Sequence, residues 1–139
     1  AVLAVDDSTL AWEIKRLYFV DDAPVALSRY TIPAAMVPDL DQRDLNESIM
    51  EVLAGYNLKP VFKRENISAA TTRMEEQKLL QVSRSRPLLR FVRLLKDEAG
   101  RAIAYIEASL RSDIVNVEVI MGDEPAPESS TSRGAGENT

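Results

Sequence analysis

Most of residues 80–113 occurs twice in this chain, and no other feature limits its possible folds as strongly. Shifted by 77 positions, Leu3, Val5 and Arg16 fall on Leu80, Val82 and Arg93, and residues 10–17 fall on residues 87–94. Each copy then carries an acidic turn, Asp21-Asp22-Ala23 in the first and residues 96–100 in the second. A further extended run follows, from Pro24 to Ile32 and from Arg101 to Leu110. With one residue inserted in the second turn, Val25-Ala26-Leu27 matches Ile103-Ala104-Tyr105. Strand, polar turn, strand is the signature of a β-hairpin. Two hairpins of one pattern predict an internally pseudo-symmetric domain.

The segments around the hairpins have readable signals of their own. Pro33 stops the first ladder, and residues 34–40 with Pro38 read as a loop. Asp44 with Glu47 forms a capping-box pattern ahead of Leu45, Ile49, Val52 and Leu53 at helical spacing. A helix over 45–54, ended by Gly55, is expected. Residues 59–69 alternate as a strand, and Thr72 with Glu75 opens a helix through Leu80. Val115, Val117, Val119 and Met121 alternate with polar residues and predict a last half-buried strand. From Gly122 to Thr139, Pro, Ser, Gly and Glu predominate without apolar periodicity, the composition of a disordered acidic tail. The second copy is preceded by its own strand and helix, whereas the first begins at residue 1. Pseudo-symmetry therefore predicts a counterpart strand and helix upstream of Ala1, and an exposed sheet edge where that strand would pair.

Composition removes several chemistries. The sequence has neither Cys nor His, which excludes thiolate metal sites, His-dependent triads and His–Zn motifs. A net charge of −5 disfavours nucleic-acid binding by these residues themselves. No apolar run reaches membrane-spanning length, the acidic start does not resemble a signal peptide, and the cytoplasm is the default address. The adjacent carboxylates at Asp6/Asp7, Asp21/Asp22 and Glu75/Glu76 fall in turns or helix starts, where capping is their ordinary role. Gly55 and Gly100, the only glycines before residue 122, cannot build a phosphate loop. No catalytic residue, metal or cofactor is expected. The candidates for binding are polar residues within apolar runs. Arg16 and its repeat mate Arg93 each interrupt a strand, where a guanidinium clamps an anion if it faces a cleft and is only solvated if it faces outward. Ser48, near a helix start, is a second candidate anion contact.

These residues carry a family resemblance. Leu3-x-Val5, Ile14-x-Arg16-Leu17, Ala23-Pro24-Val25-Ala26-Leu27 and Ile32-Pro33 resemble the UTRA domain, the effector-binding part of HutC-type regulators in the GntR superfamily. Asp44-Leu45-x-x-Ser48-Ile49-x-x-x-Leu53 fits the same pattern, and so does the closing Pro87-Leu88-Leu89, Arg93, Gly100-Arg101 and Arg111-Ser112-Asp113. The resemblance covers about residues 1–121. It implies an α+β, chorismate-lyase-like antiparallel sheet with helices that binds a small metabolite and forms a homodimer. It also implies operator DNA binding through an N-terminal winged helix-turn-helix outside this sequence. Relatives that bind amino-sugar phosphates place contacts at positions matching Arg16, Tyr18, Ser28, Ser48, Met50, Ala104 and Leu110. Only Arg16 and Ser48 keep the family's residue type there. An anionic ligand with a more apolar body than an amino-sugar phosphate is the resulting expectation. A chorismate-lyase-like enzyme and a degenerate, dimerisation-only domain are the competing readings, the first weakened by the thin catalytic inventory.

Overall fold

The computed structural model describes residues 2–4, 10–118, 120 and 122. Its strands are β1 (Val2–Ala4), β2 (Leu10–Val20), β3 (Ala23–Pro33), β4 (Phe62–Ala70), β5 (Leu88–Lys96) and β6 (Ala102–Leu110). They form one six-stranded sheet in the order β1-β2-β3-β6-β5-β4, and every neighbouring pair is antiparallel. The α-helices are α1 (Ile49–Gly55) and α2 (Met74–Leu80), and short 3-10 turns occupy Ala34–Met36 and Leu40–Gln42.

The repeat is carried into the hydrogen-bond register. Arg16 lies opposite Ser28 in the first hairpin, and Arg93 opposite Ile106 in the second. Register shifts fall between Tyr18 and Phe19 and between Leu95 and Lys96, again 77 positions apart. The two hairpins meet along β3 and β6, where Arg29 faces Glu107. Those two residues are 78 apart, the offset of the second strands, so the internal dyad passes through their pair. The inserted residue is absorbed by the turns. Asp21 and Asp22 both have positive φ (48° and 66°), as a two-residue primed turn requires. The second hairpin turns through Gly100 at φ 80°, with the Asp97 amide donating to the Arg101 carbonyl at 3.0 Å. A three-residue loop ending in a left-handed glycine is the next preferred hairpin geometry.

Strand alternation sorts the side chains onto two faces. On one face, Ile14, Tyr30, Ile32, Leu95, Ala104 and Ile106 form the main core with Val37, Leu40, Ile49, Val52 and Leu53 of the 34–58 crossover. On the other, α2 seats Leu80 against Leu27 and Leu88, with Leu17 and Val82 packed alongside. The internal dyad carries Leu17, Leu27 and Leu88 onto Leu94, Tyr105 and Ala11. Those three residues border an open apolar hollow of about 240 Å³. One half of this face is therefore covered by a helix, and its symmetric half is a groove.

Several expectations are corrected. The first helix begins at Ile49, not Leu45, and Ser48 rather than Asp44 is its N-cap. Asp44 instead accepts the Asn46 amide. Both Asp44-x-x-Glu47 and Ser48-x-x-Glu51 match a capping box, and only the second is in phase with the buried stripe Ile49, Val52, Leu53. Gly55 is the last helical residue and Tyr56 the C-cap. The second capping interaction shifts by one residue, the Arg73 amide donating to Glu76 at 2.8 Å. Thr72 donates to the Arg84 carbonyl instead. Residues 115–118 are not a strand; the chain turns at 112–114, with the Ile114 and Val115 amides donating to the Arg111 carbonyl. Both lateral neighbours of β6 are already strands, so the alternating valines have no adjacent edge to join. Val119, Met121 and residues 123–139, and with them the expected tail, lie outside the described residues. β1 pairs with β2 only from Leu10 to Trp12. Among the described residues the edge from Glu13 to Val20 carries no strand.

Candidate functional site

A cleft of about 340 Å³ opens on the face that α1 covers, beside the main core. Its floor comes from four adjacent strands. Tyr18 lies on β2, and Ala26, Ser28 and Tyr30 on β3. Ile106, Ala108 and Leu110 lie on β6, and Phe91 and Arg93 on β5. Ile49 at the start of α1 and Val117 beyond the C-terminal turn close it from above. This floor follows from register, because Arg16–Ser28, Ser28–Ala108 and Phe91–Ala108 are directly opposed pairs and put their side chains on one face.

The polar groups of the cleft are few. The Tyr18 and Tyr30 hydroxyls are 2.8 Å apart and hydrogen-bonded. Burial, reinforced by that hydrogen bond, pushes the Tyr30 phenol from 10.0 up to about 12, so it stays neutral. Ser28 is 6% exposed. Arg93, the only charged residue lining the cleft among the described residues, donates from Nη2 to Glu65 at 2.6 Å. Its buried Nε has no partner.

The residues singled out from the sequence divide into groups. Tyr18, Ser28 and Leu110 line the cleft. Arg16 shares their face but lines an adjoining groove with Leu45 and Asn46. Its guanidinium donates to the Leu45 carbonyl at 2.6 Å and lies 5.5 Å from the centre of the Tyr30 ring. Ser48 is occupied as the α1 cap, accepting the Glu51 amide while its own amide donates to the Glu51 carboxylate. Met50 does not line the cleft and is 46% exposed, while Ala104 is packed in the main core at 2% exposure. The sequence reading did not single out Tyr30, Phe91, Ile106 or Ala108. Arg93 was a candidate anion clamp alongside Arg16, through the repeat, but was not among the contacts that the family resemblance implies. Pseudo-symmetry held the missing signal, because a floor built on a dyad draws from both copies.

Opposite the cleft, a polar cluster ties α2 to the sheet. Glu76 accepts two bonds from Arg90 at 2.7 Å, one from the Ser109 hydroxyl and one from the Arg73 amide. Glu75 accepts from Lys15 and Arg29, and Arg73 donates to Glu107. These partners lie on β2, β3, β5 and β6. No group of three or more Asp or Glu residues suited to a metal ion occurs among the described residues. No helix among them is long and apolar enough to cross a membrane.

Comparison with known proteins places the chain. Residues 1–116 match the UTRA domain. The chain is 26% identical over 112 residues to the HTH-type transcriptional regulator GgaR of Escherichia coli K12, covering 81% of this chain and 44% of that protein. It is 26% identical over 116 residues to the HTH-type transcriptional repressor NagR of Bacillus subtilis, covering 81% and 47%. It thus spans less than half the length of these relatives. Among solved structures, the effector domain of PhnF from Mycobacterium smegmatis superposes with a TM-score of 0.80 at 19% identity, covering 88% of this chain and 83% of that one. The effector-binding domain of the trehalose repressor TreR from Bacillus subtilis gives 0.75 at 20% identity, covering 87% and 85%. These likenesses confirm the α+β antiparallel fold expected from the sequence. With the match over residues 1–116, they establish that the chain belongs to the UTRA family, the effector-binding domains of GntR-family transcription regulators.

Proposed function

We propose that this chain is the ligand-sensing and dimerising part of a bacterial transcription regulator, and that the cleft over β2, β3, β6 and β5 is its effector site. The observation that carries the reading is the cleft itself. It is a largely apolar hollow of about 340 Å³ with a few converging polar groups, the usual make-up of a small-molecule site. Its roof comes from Ile49 and Val117, on segments outside the sheet, so an occupant would bear on elements that can shift relative to the floor. A ligand bound more tightly by one arrangement of these elements moves the population toward it, and sensing requires nothing more. DNA binding belongs, in this reading, to a helix-turn-helix domain outside the sequence, in keeping with the names and lengths of GgaR and NagR. The domain turns over no substrate. The effector is a small anion with an apolar body, since most of the wall offers carbon. The exposed apolar residues Val61, Phe62 and Ile67 on and beside the edge strand β4 fit a surface covered in a homodimer.

A thermal-shift screen of sugar phosphates, amino acids, dicarboxylates and aromatic acids tests the reading. A ligand at one hundred times its dissociation constant adds about 2.7 kcal/mol to stability. For a domain of this size that raises the melting temperature by several degrees. The shift should be lost when Ala108→Trp fills the cleft floor. A hit that survives that change with the same affinity would place the effector elsewhere.

A further inference from the structure

The repeat gives this domain two arginines in equivalent places, and the structure treats them differently. Arg16 and Arg93 occupy the same register position in their hairpins and project from the same face. Arg16 is committed to the Leu45 carbonyl at 2.6 Å, over the Tyr30 ring, in a groove beside the cleft. Arg93 lines the cleft itself, between the apolar side chains of Phe91 and Ile106. Its partner, Glu65, lies directly opposite on the edge strand β4, with its side chain 22% exposed. The pair uses Nη2 alone and leaves the buried Nε without an acceptor.

We infer that Arg93, not Arg16, anchors the ligand, and that the ligand is a small organic carboxylate whose charge exchanges with Glu65. The inference rests on the reading of the cleft as the effector site. The pair is only partly buried, with side chains 36% and 22% exposed, and an incoming carboxylate keeps a negative charge on the guanidinium, so a ligand that brings its own apolar contacts can replace Glu65 at modest cost. One planar guanidinium matches one carboxylate in bidentate fashion. A phosphate dianion would call for a second cation or free helix amides. The cleft has no second cation among the described residues, and the Glu51 amide at the start of α1 is taken by Ser48 while the Glu51 carboxylate adds negative charge there. The body of the ligand then rests on Phe91, Ile106, Ala108 and Leu110, and the Ser28 and Tyr18 hydroxyls are left to read a polar substituent.

Titration calorimetry at fixed ionic strength tests this with three probes: benzoate, its uncharged isostere benzamide, and inorganic phosphate. Benzoate should bind more tightly than the other two. Arg93→Ala should weaken it by about tenfold or more, the usual worth of a hydrogen bond to a charged group. Arg16→Ala should leave the benzoate affinity nearly unchanged. Glu65→Gln should tighten benzoate by removing its competitor, and this gain is readable even if Arg93→Ala fails to fold. Benzoate binding that is indifferent to both Arg93→Ala and Glu65→Gln, or lost only in Arg16→Ala, overturns the assignment. Phosphate binding through Arg93 in place of benzoate overturns the carboxylate class. Equal binding of benzamide and benzoate in all variants would leave the cleft as the effector site while removing Arg93 as its anchor. No binding of benzoate at millimolar concentrations also refutes the carboxylate class, whereas the effector site itself stands or falls with the wider screen.

Discussion

Replacing Glu76 with Ala should be among the most damaging single changes outside the apolar core. Glu76 is 3% exposed, and its carboxylate takes two bonds from Arg90, one from Ser109 and the first free amide of α2 from Arg73. Arg90 is itself largely covered, with a side chain 12% exposed, and its Nε already lacks a partner. Removing the carboxylate leaves a buried guanidinium without a counter-charge, which costs about 3–5 kcal/mol. That is a large share of the roughly 5–15 kcal/mol that holds a domain of this kind together. In urea, with a slope of about 2 kcal/mol per molar, the midpoint should fall by roughly 2 M. Glu76→Gln also removes the charge but keeps the shape and part of the hydrogen bonding, so it should recover only part of that cost. The double change Glu76→Met with Arg90→Met should recover most of the loss, because the unpaired charge goes with its partner. Urea unfolding followed by circular dichroism reads all of these, provided the slope stays constant. A cost below about 1 kcal/mol for Glu76→Ala, the value of an exposed pair, would refute the argument that this clasp is buried and interdependent.

The same residue sets a pH dependence. Burial raises the Glu76 pKa, but the bonds from Ser109, Arg90 and the Arg73 amide outweigh it and hold the group below its ordinary 4.5. A carboxyl depressed in the folded state contributes stability above its unfolded pKa and loses it as pH falls through the folded one. Wild-type stability should therefore decline below about pH 4.5, and Glu76→Gln should flatten that decline. Tyr30 works in the opposite direction: its raised pKa of about 12 gives stability that is intact below pH 10 and lost as pH climbs toward 12. Absorbance at the phenolate band should show one tyrosine titrating near 12 in the folded protein, and Tyr18→Phe should lower it. Ser48→Ala removes the hydroxyl that accepts the Glu51 amide and should cost about 1 kcal/mol by urea unfolding. Asp22→Gly relieves a non-glycine residue at φ 66° and should stabilise the first hairpin by about 1 kcal/mol; a loss would mean that the aspartate side chain supports the turn.

Local rules explain what could be read from the chain in advance. Periodicity 2 in the two copies of Leu-rich strand, polar turn and strand specified both hairpins, and the single inserted residue selected a two-residue turn in one and a three-residue turn in the other. The offsets of 77 and 78 even carried the position of the bulges, since a register shift is a property of the hairpin and is copied with it. Choices between equivalent local signals lay outside the reach of pattern. Asp44 and Ser48 both begin a capping box, and burial of Ile49, Val52 and Leu53 decided between them. Val115 and Val117 alternate like a strand, yet a strand needs a free neighbour, and β3 and β5 already flank β6.

The candidate site divides in the same way. Tyr18, Ser28 and Leu110 were named only through the family resemblance, and the register of the strands is what brings them to one face of the cleft. The fates of Arg16 and Arg93 could not be read in advance, because the two residues hold the same position in their hairpins. What separates them is the crossover between the hairpins, which brings the Leu45 carbonyl to 2.6 Å from Arg16, whereas Arg93 meets Glu65 across an edge strand. The sequence by itself therefore determined the hairpins, their symmetry and the face each side chain takes, since these depend on neighbours a few residues away. Tertiary structure alone decided which half of each face is covered and which arginine lines the cleft, because those outcomes depend on segments brought together from distant parts of the chain.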